Sequence, residues 1–172
     1  MGNQRNLLTA DDNAFIQNGK LRYVHDKYPF NYGALPQTWE NPTLKHPDTD
    51  AMGDNDPIDA CDVSSIQHQT GDVIVVKIIG TYAMIDEGET DWKIICIDVR
   101  DPLAEKINDV DDLEKFMPGK AQEVFTFLRD YKIPDGKPPN KFAFNGELKN
   151  RDFAVRIIEE TYQEWHQIVT NK

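Results

Sequence analysis

Up to Val99 the apolar residues of this chain come in short, strand-like runs, and from Val110 onward they recur at helical spacing. That single change of period constrains the fold more than any other feature of the sequence. Val73–Ile79 (VIVVKII) is rich in β-branched residues and bounded by Gly71 and Gly80, which predicts a buried strand. Thr81–Ile85 and Trp92–Val99 flank Asp86-Glu87-Gly88-Glu89-Thr90-Asp91 and predict a hairpin with an acidic connection. Leu21-Arg22-Tyr23-Val24 predicts a short strand ahead of the aromatic loop YPFNYGALPQTW. Pro42, Pro47, Gly53 and Pro57 then mark Asn41–Asp59 as loop. In the second half, Val110, Leu113, Phe116 and Met117 share one helical face. Ala121, Val124, Phe125 and Leu128 share another, with Pro118 near its first turn. Tyr131–Lys141 holds three prolines and a glycine and reads as a long loop. A last helix over Asp152–Val169 carries Ala154, Ile157, Ile158, Thr161, Trp165 and Ile168 on one stripe. Strands first and helices later predict an α+β domain, mainly β in its core, whose chiefly antiparallel sheet curls into a small barrel. Residues 1–19 read as an atypical, weakly ordered lead-in, and residues 20–172 as the domain.

Charge narrows the function. The 172 residues include 30 Asp plus Glu against 19 Lys plus Arg, a net charge of −11. Such a field repels phosphate backbones, which argues against a nucleic-acid or anionic-membrane binder. No apolar run approaches the length of a membrane span. Met1–Asn18 lacks the basic-then-apolar pattern of a signal peptide. Cys61 and Cys96 form no disulfide framework, so the expected compartment is reducing and cytoplasmic, or an organelle reached through a removed transit peptide.

The acids are unevenly spread. Aspartate outnumbers glutamate 20 to 10, and six aspartates (Asp48, Asp50, Asp54, Asp56, Asp59, Asp62) fall within fifteen residues. No Lys or Arg stands between Lys45 and Lys77. Packed carboxylates repel one another, and a hard divalent cation with oxygen ligands relieves that repulsion, as does simple solvation of an acidic loop. The block Gly53-Asp54-Asn55-Asp56-Pro57-Ile58-Asp59 favours the cation: Pro57 stiffens it and Ile58 offers a core anchor for aiming Asp59. A calcium loop starting at Asp48 fits poorly, with Met52 in its fifth place, Asp59 in its twelfth, and prolines where the flanking helices belong. The second acidic group is Asp86, Glu87, Glu89 and Asp91. On a strand, Asp91 and Lys93 would project from one face, suited to a metal and a phosphate or to an ordinary ion pair. Tyr28, Tyr32 and Trp39 fit core or loop packing first, although a phenol also donates a hydrogen bond to a phosphate oxygen. Arg22 and the pair Tyr131-Lys132 are further donors of the right type. The histidines His25, His46, His68 and His166 show no zinc spacing.

The block GDNDPID resembles the D-x-D-P-x-D signature of the soluble family I inorganic pyrophosphatases. NYGALPQTWENP, AMIDEGETDWKIICIDVRDP and YKIPDGKPPNKFAFNGE resemble the eukaryotic branch in the same order, over Lys20–Val169. The resemblance implies an OB-like five-stranded barrel with flanking helices and Mg²⁺-dependent hydrolysis of pyrophosphate to two orthophosphates. It implies Asp54, Asp59 and Asp91 as the principal magnesium ligands, with Asp86 holding further magnesium. Asp56 would orient or deprotonate the attacking water. Arg22, Tyr32, Lys93, Tyr131 and Lys132 would hold the phosphates, and Tyr28 falls at the family's proton-donor tyrosine. A homodimer is implied as well. Relatives carry an E-I-P-R-like stretch and a K-x-E pair ahead of this region, whereas residues 1–39 here contain no Glu. The resemblance therefore also implies a barrel incomplete at its N-terminal strands. It leaves open a weakly active or inactive member that binds metal or phosphate, or that associates with a full-length subunit.

Overall fold

The computed structural model describes residues 27–170 with their side chains and, ahead of them, the backbone of three strands. Those strands are β1 (Gln4–Leu8), β2 (Ala14–Gln17) and β3 (Lys20–Tyr23). Seven more follow: β4 (Asn31–Ala34), β5 (Lys45–His46), β6 (Ala51–Met52), β7 (Asp59–Asp62), β8 (Asp72–Asp86), β9 (Glu89–Asp98) and β10 (Lys141–Phe142). The helices are α1 (Val110–Phe116), α2 (Lys120–Asp130) and α3 (Arg151–Thr170), all in the second half as the period requires.

The main sheet runs β1-β4-β7-β9-β8-β10, and β1 pairs with β8 as well as β4. Those two pairings of Gln4–Leu8 close a five-stranded barrel, so it is not incomplete on its N-terminal side as the sequence suggested. Closure also removes the open edge that an incomplete barrel would present. The sheet is mixed: β7 and β9 are parallel, and the other pairs are antiparallel.

Two further differences from the sequence reading have clear physical causes. The expected strands Val73–Ile79 and Thr81–Ile85 are one fifteen-residue strand, β8, with a register shift between Ile78 and Gly80. A bulge adds one residue and reverses which alternate side chains face which side. Before it Ile74, Val76 and Ile78 pack with α3, and after it Tyr82 and Met84 pack with α1 and α2. Gly80 is required there, because a Cβ would lie 2.4 Å from the Lys149 carbonyl oxygen. Strands β4 and β7 lie in stretches expected to be loop or loop end. They are four residues each and gain their partners from distant parts of the chain, which local periodicity does not report.

Strand β9 divides the core. Trp92, Ile94 and Cys96 join the cluster holding Ala154 and Ile157 of α3. Ile95 and Ile97 join the cluster holding Leu113 of α1 and Val124 and Leu128 of α2. By strand alternation Asp91 and Lys93 share the second face, at the end of that cluster where Tyr28 and Tyr32 pack. No helix among the described residues is long and apolar enough to cross a membrane.

Candidate metal centre and anion site

The acidic hairpin connection is tighter than the sequence suggests. Only Glu87 and Gly88 form the turn, both with positive φ (52° and 98°), and Asp86 pairs with Glu89 across it. Positive φ at both central residues is the turn geometry that matches strand twist, and Gly88 accepts it freely. Asp86, Glu89 and Asp91 therefore lie on strands, and their directions are fixed by the sheet.

Three neighbouring strands carry one polar network. Asp59 opens β7 opposite Lys93 of β9, and Tyr32 lies on β4, the other neighbour of β7. The Lys93 ammonium donates to an Asp59 oxygen, to Asp91 Oδ1 at 2.7 Å and to the Tyr32 oxygen at 3.4 Å. The Tyr32 hydroxyl itself donates to Asp59. Lys93 is only 3% exposed. Burial opposes its charge, but Asp59 and Asp91 outweigh it and hold the ammonium protonated well beyond the usual lysine range. Burial pushes the Tyr32 phenol well up, with Lys93 working against the shift.

The loop ahead of β7 is stitched to the segment after β4. Glu40 N–H donates to the Asp56 carbonyl at 2.9 Å, and Asn55 N–H donates back to the Glu40 carbonyl at 2.9 Å. Asp56 N–H donates to Asp54 Oδ1 at 2.9 Å. At Gly53 a Cβ would lie 2.3 Å from the Glu40 carbonyl carbon, so only glycine permits this approach. Asp54 is thereby presented to strand β9. Burial pushes its carboxyl up to about 6, against the hydrogen bond from the Asp56 N–H, which lowers it, and with the charges of Asp56 and Asp59 raising it. Asp91 rises to about 7, again chiefly through burial, with Lys93 pulling it back and Asp59 and Asp54 pushing it up.

A third carboxylate completes this corner, and the sequence reading assigned it no role. Oxygens of Glu40, Asp54 and Asp91 lie within 4.8 Å of one another. Glu40 is 3% exposed, and its carboxyl is pushed well up by burial and by the charges of Asp91 and Asp54. Nothing local in Trp39-Glu40-Asn41 marks it as a site residue. It is held by hydrogen bonds with Asp56 and Trp92 and by the close approach of Gly53, none of them its neighbours along the chain.

The six-aspartate block divides. Asp54 and Asp59 face the site, and Asp56 is exposed on the same loop. Asp48 pairs with Arg156 at 2.8 Å and Asp50 with Lys45 at 2.6 Å, on the outside. Asp62 is fully buried and accepts from Asn31, Ser64 and the Asp98 N–H. Strands β5 and β7 flank Asp48–Asp59 where a calcium loop needs helices, so that arrangement is not formed.

At the hairpin end, Lys132 pairs with both oxygens of Asp86. Tyr131 stacks on Phe127, with centroids 5.8 Å apart. Burial pushes the Tyr131 phenol up. The charges of Asp86, Lys93 and Asp91 all act on it, which places the Tyr131-Lys132 pair in the same field as the carboxylate corner. Tyr28 stacks on Tyr32 with centroids 5.4 Å apart. The Arg22 side chain lies outside the described residues.

The donor set suits a hard divalent cation. Three carboxylates converge, all with raised pKa, beside a fixed ammonium and several hydroxyl and ammonium donors for an anion. Anions approach such a corner only when cations reverse its sign. Comparison with known proteins agrees with this chemistry. A family model described as inorganic pyrophosphatase matches residues 8–166. The chain is 63% identical over 157 residues to an inorganic pyrophosphatase of Dictyostelium discoideum, covering 91% of this chain and 56% of that protein. It is similar to the inorganic pyrophosphatase structure from Schistosoma japonicum, with a TM-score of 0.88 and 46% identity over 96% of this chain and 62% of that one. The N-terminal-domain-truncated vacuolar soluble pyrophosphatase of Trypanosoma cruzi, in complex with PPi, matches with a TM-score of 0.89 and 38% identity, over 98% of this chain and 66% of that one. The chain thus spans about half the length of the curated relatives it matches.

Proposed function

This chain belongs to the inorganic pyrophosphatase family, and on that premise we propose that its carboxylate corner hydrolyses pyrophosphate to two orthophosphates with bound Mg²⁺. The observation that carries this reading is the convergence of Glu40, Asp54 and Asp91 beside the buried Lys93–Asp59–Tyr32 network. Magnesium is the cation of choice because every ligand on offer is a hard oxygen and the substrate is a polyphosphate. Asp54, Asp59 and Asp91 would hold it, with Asp86 holding more at the hairpin end. When bound, divalent cations supply a water of lowered pKa and neutralise charge on the phosphates.

The chain's own groups divide the remaining work. Asp56, on the exposed side of the Asp54 loop, would orient the water and accept its proton as the oxygen attacks phosphorus. The bridging P–O bond breaks, and the leaving phosphate departs with its electron pair. Lys93, Tyr32, Tyr131, Lys132 and Arg22 would hold phosphate oxygens and stabilise the charge that builds on them. Tyr28, stacked on Tyr32, would deliver a proton to the leaving group. In this reading Lys93 would give up part of its contact with Asp59 and Asp91 to hold a phosphate oxygen. A homodimer and a cytoplasmic setting, or an organelle, complete the proposal, supported by the likeness to the eukaryotic branch.

The direct experiment is phosphate release from pyrophosphate across a magnesium titration. Release that saturates with magnesium is expected; none at any concentration from a folded chain would end this reading.

The raised carboxyl pKa values give a second test. An acid whose folded-state pKa exceeds its unfolded value favours the fold while it is protonated, so that contribution is lost as pH rises through the folded value. For Asp54 and Asp91 the window runs from about 4 in the unfolded chain to about 6 and 7 in the fold. Without divalent cations the fold is therefore expected to lose stability between about pH 4 and pH 7. Magnesium should raise the thermal midpoint more at about pH 8 than at about pH 5, because it replaces protons. An equal increment at both values would contradict the assignment of these carboxylates to the cation.

A further inference from the structure

We propose that Glu40 is itself a ligand of the cation shared by Asp54 and Asp91, binding through its second carboxylate oxygen. This rests on the divalent-cation reading of the corner and adds a residue to it.

Four observations carry the inference. Glu40 Oε1 accepts the Trp92 N–H at 3.0 Å, while Oε2 is buried and has no hydrogen-bond partner among the described residues. A buried carboxylate oxygen left unsatisfied is costly, and native structures keep one only when something answers it, such as an ion. Lys93, the described cation whose charge acts on Glu40, is already committed, since its hydrogen bonds go to Asp59, Asp91 and Tyr32.

The spacing also fits. Glu40, Asp54 and Asp91 each offer an oxygen within 4.8 Å of the other two. Oxygens around an octahedral Mg²⁺ at about 2.1 Å stand about 3.0 Å apart when adjacent and about 4.2 Å apart when opposite. Modest closure of the carboxylates brings all three onto one ion.

Finally, Glu40 is fixed before any ion arrives. Its backbone N–H and C=O clamp the Asp54 loop through Asp56 and Asn55. Its side chain holds the amide of Trp92, between Asp91 and Lys93 on β9. One residue therefore ties together the two elements that carry the other ligands, and no large ordering cost remains when the cation binds.

The test uses Mn²⁺ alone, without pyrophosphate, titrated into the full chain and followed by electron paramagnetic resonance of the free ion. Glu40→Gln keeps the shape of the side chain and an oxygen to accept the Trp92 N–H, and removes only the charge and the anionic ligand. It is expected to weaken Mn²⁺ binding at one site at least tenfold. Its thermal midpoint in EDTA should equal or exceed that of the unaltered chain, because a buried unpaired carboxylate is gone. A Mn²⁺ isotherm identical to that of the unaltered chain, with the fold intact, overturns the proposal. Should the glutamine variant fail to fold, Glu40→Asp decides: it keeps the charge but withdraws the oxygens by one methylene, and unchanged Mn²⁺ affinity there overturns the proposal as well. A chain that binds Mn²⁺ through Glu40 yet releases no phosphate from pyrophosphate would retain this inference and remove the hydrolytic one.

Discussion

Replacing Lys93 with methionine is expected to destabilise the fold by about 3–5 kcal/mol near neutral pH, the usual cost of removing one partner from a buried ion pair. Methionine fills the space of the lysine stem, so the loss is one of charge and hydrogen bonding. Asp59 and Asp91 would be left facing each other without their shared donor. At this chain length each kcal/mol moves the thermal midpoint by about 2–4 °C, so a drop of roughly 6–20 °C should appear in EDTA. A urea titration should show a lower midpoint with an unchanged slope. The effect has a pH signature. Lys93 holds the Asp91 carboxyl down against burial, so its removal raises that pKa further. Asp91 is mostly neutral at about pH 5 with or without Lys93, and the missing ammonium tells on its carboxylate only above the parent's value of about 7, so the deficit should be smaller at about pH 5 than at about pH 8. A variant as stable as the parent at pH 8 would mean that the network contributes nothing to holding the barrel mouth together.

Asp59→Asn should leave the fold standing and abolish most of the proposed activity. Asparagine preserves volume and can still accept from Tyr32, while Lys93 keeps Asp91 as its counter-ion at 2.6 Å. The charge that would hold a cation is lost, as is the anchor that aims Lys93. Removing a single charge-stabilising group commonly costs about 10²–10³ in rate. A loss of about 10³ is expected here, because two functions fail together. It should be read as phosphate release from pyrophosphate at saturating magnesium, alongside a thermal melt in EDTA. A rate within about tenfold of the parent would remove Asp59 from the proposed machinery.

Much of the fold was legible because period and composition report local structure directly. Helix α3 follows the stripe Ala154, Ile157, Thr161, all buried in the structure. The two shorter helices occur where their apolar faces recur. The hairpin was visible, but its six-residue acidic connection was not one; Glu87-Gly88 alone makes the turn. The bulge at Gly80 could not be read locally, since that glycine answers to Lys149, far along the chain. Nor could the closing role of Gln4–Leu8, which depends on edges supplied by β4 and β8.

The site divides in the same way. Asp54, Asp59, Asp91 and Lys93 could be singled out because short acids in a Pro/Gly-stiffened loop, and an i, i+2 pair on a strand, are local patterns. That Asp48 and Asp62 turn elsewhere was decided by partners the sequence does not place beside them, Arg156 and the Asp98 amide, while Asp50 turns to the nearby Lys45. Glu40 is the extreme case. Its residue type says only that a carboxylate is present. Its burial, its bond to Trp92 and its approach to Asp54 and Asp91 exist only once the loop and strand β9 are packed together. The sequence by itself determined that strands come first and helices later, and it determined the inventory of oxygen ligands, because both follow from side-chain chemistry and spacing along the chain. Which carboxylates converge, and which are answered by an arginine, a lysine or a backbone amide, was decided by the tertiary structure alone. Electrostatic energy depends on distance and burial, and neither is a property of sequence separation.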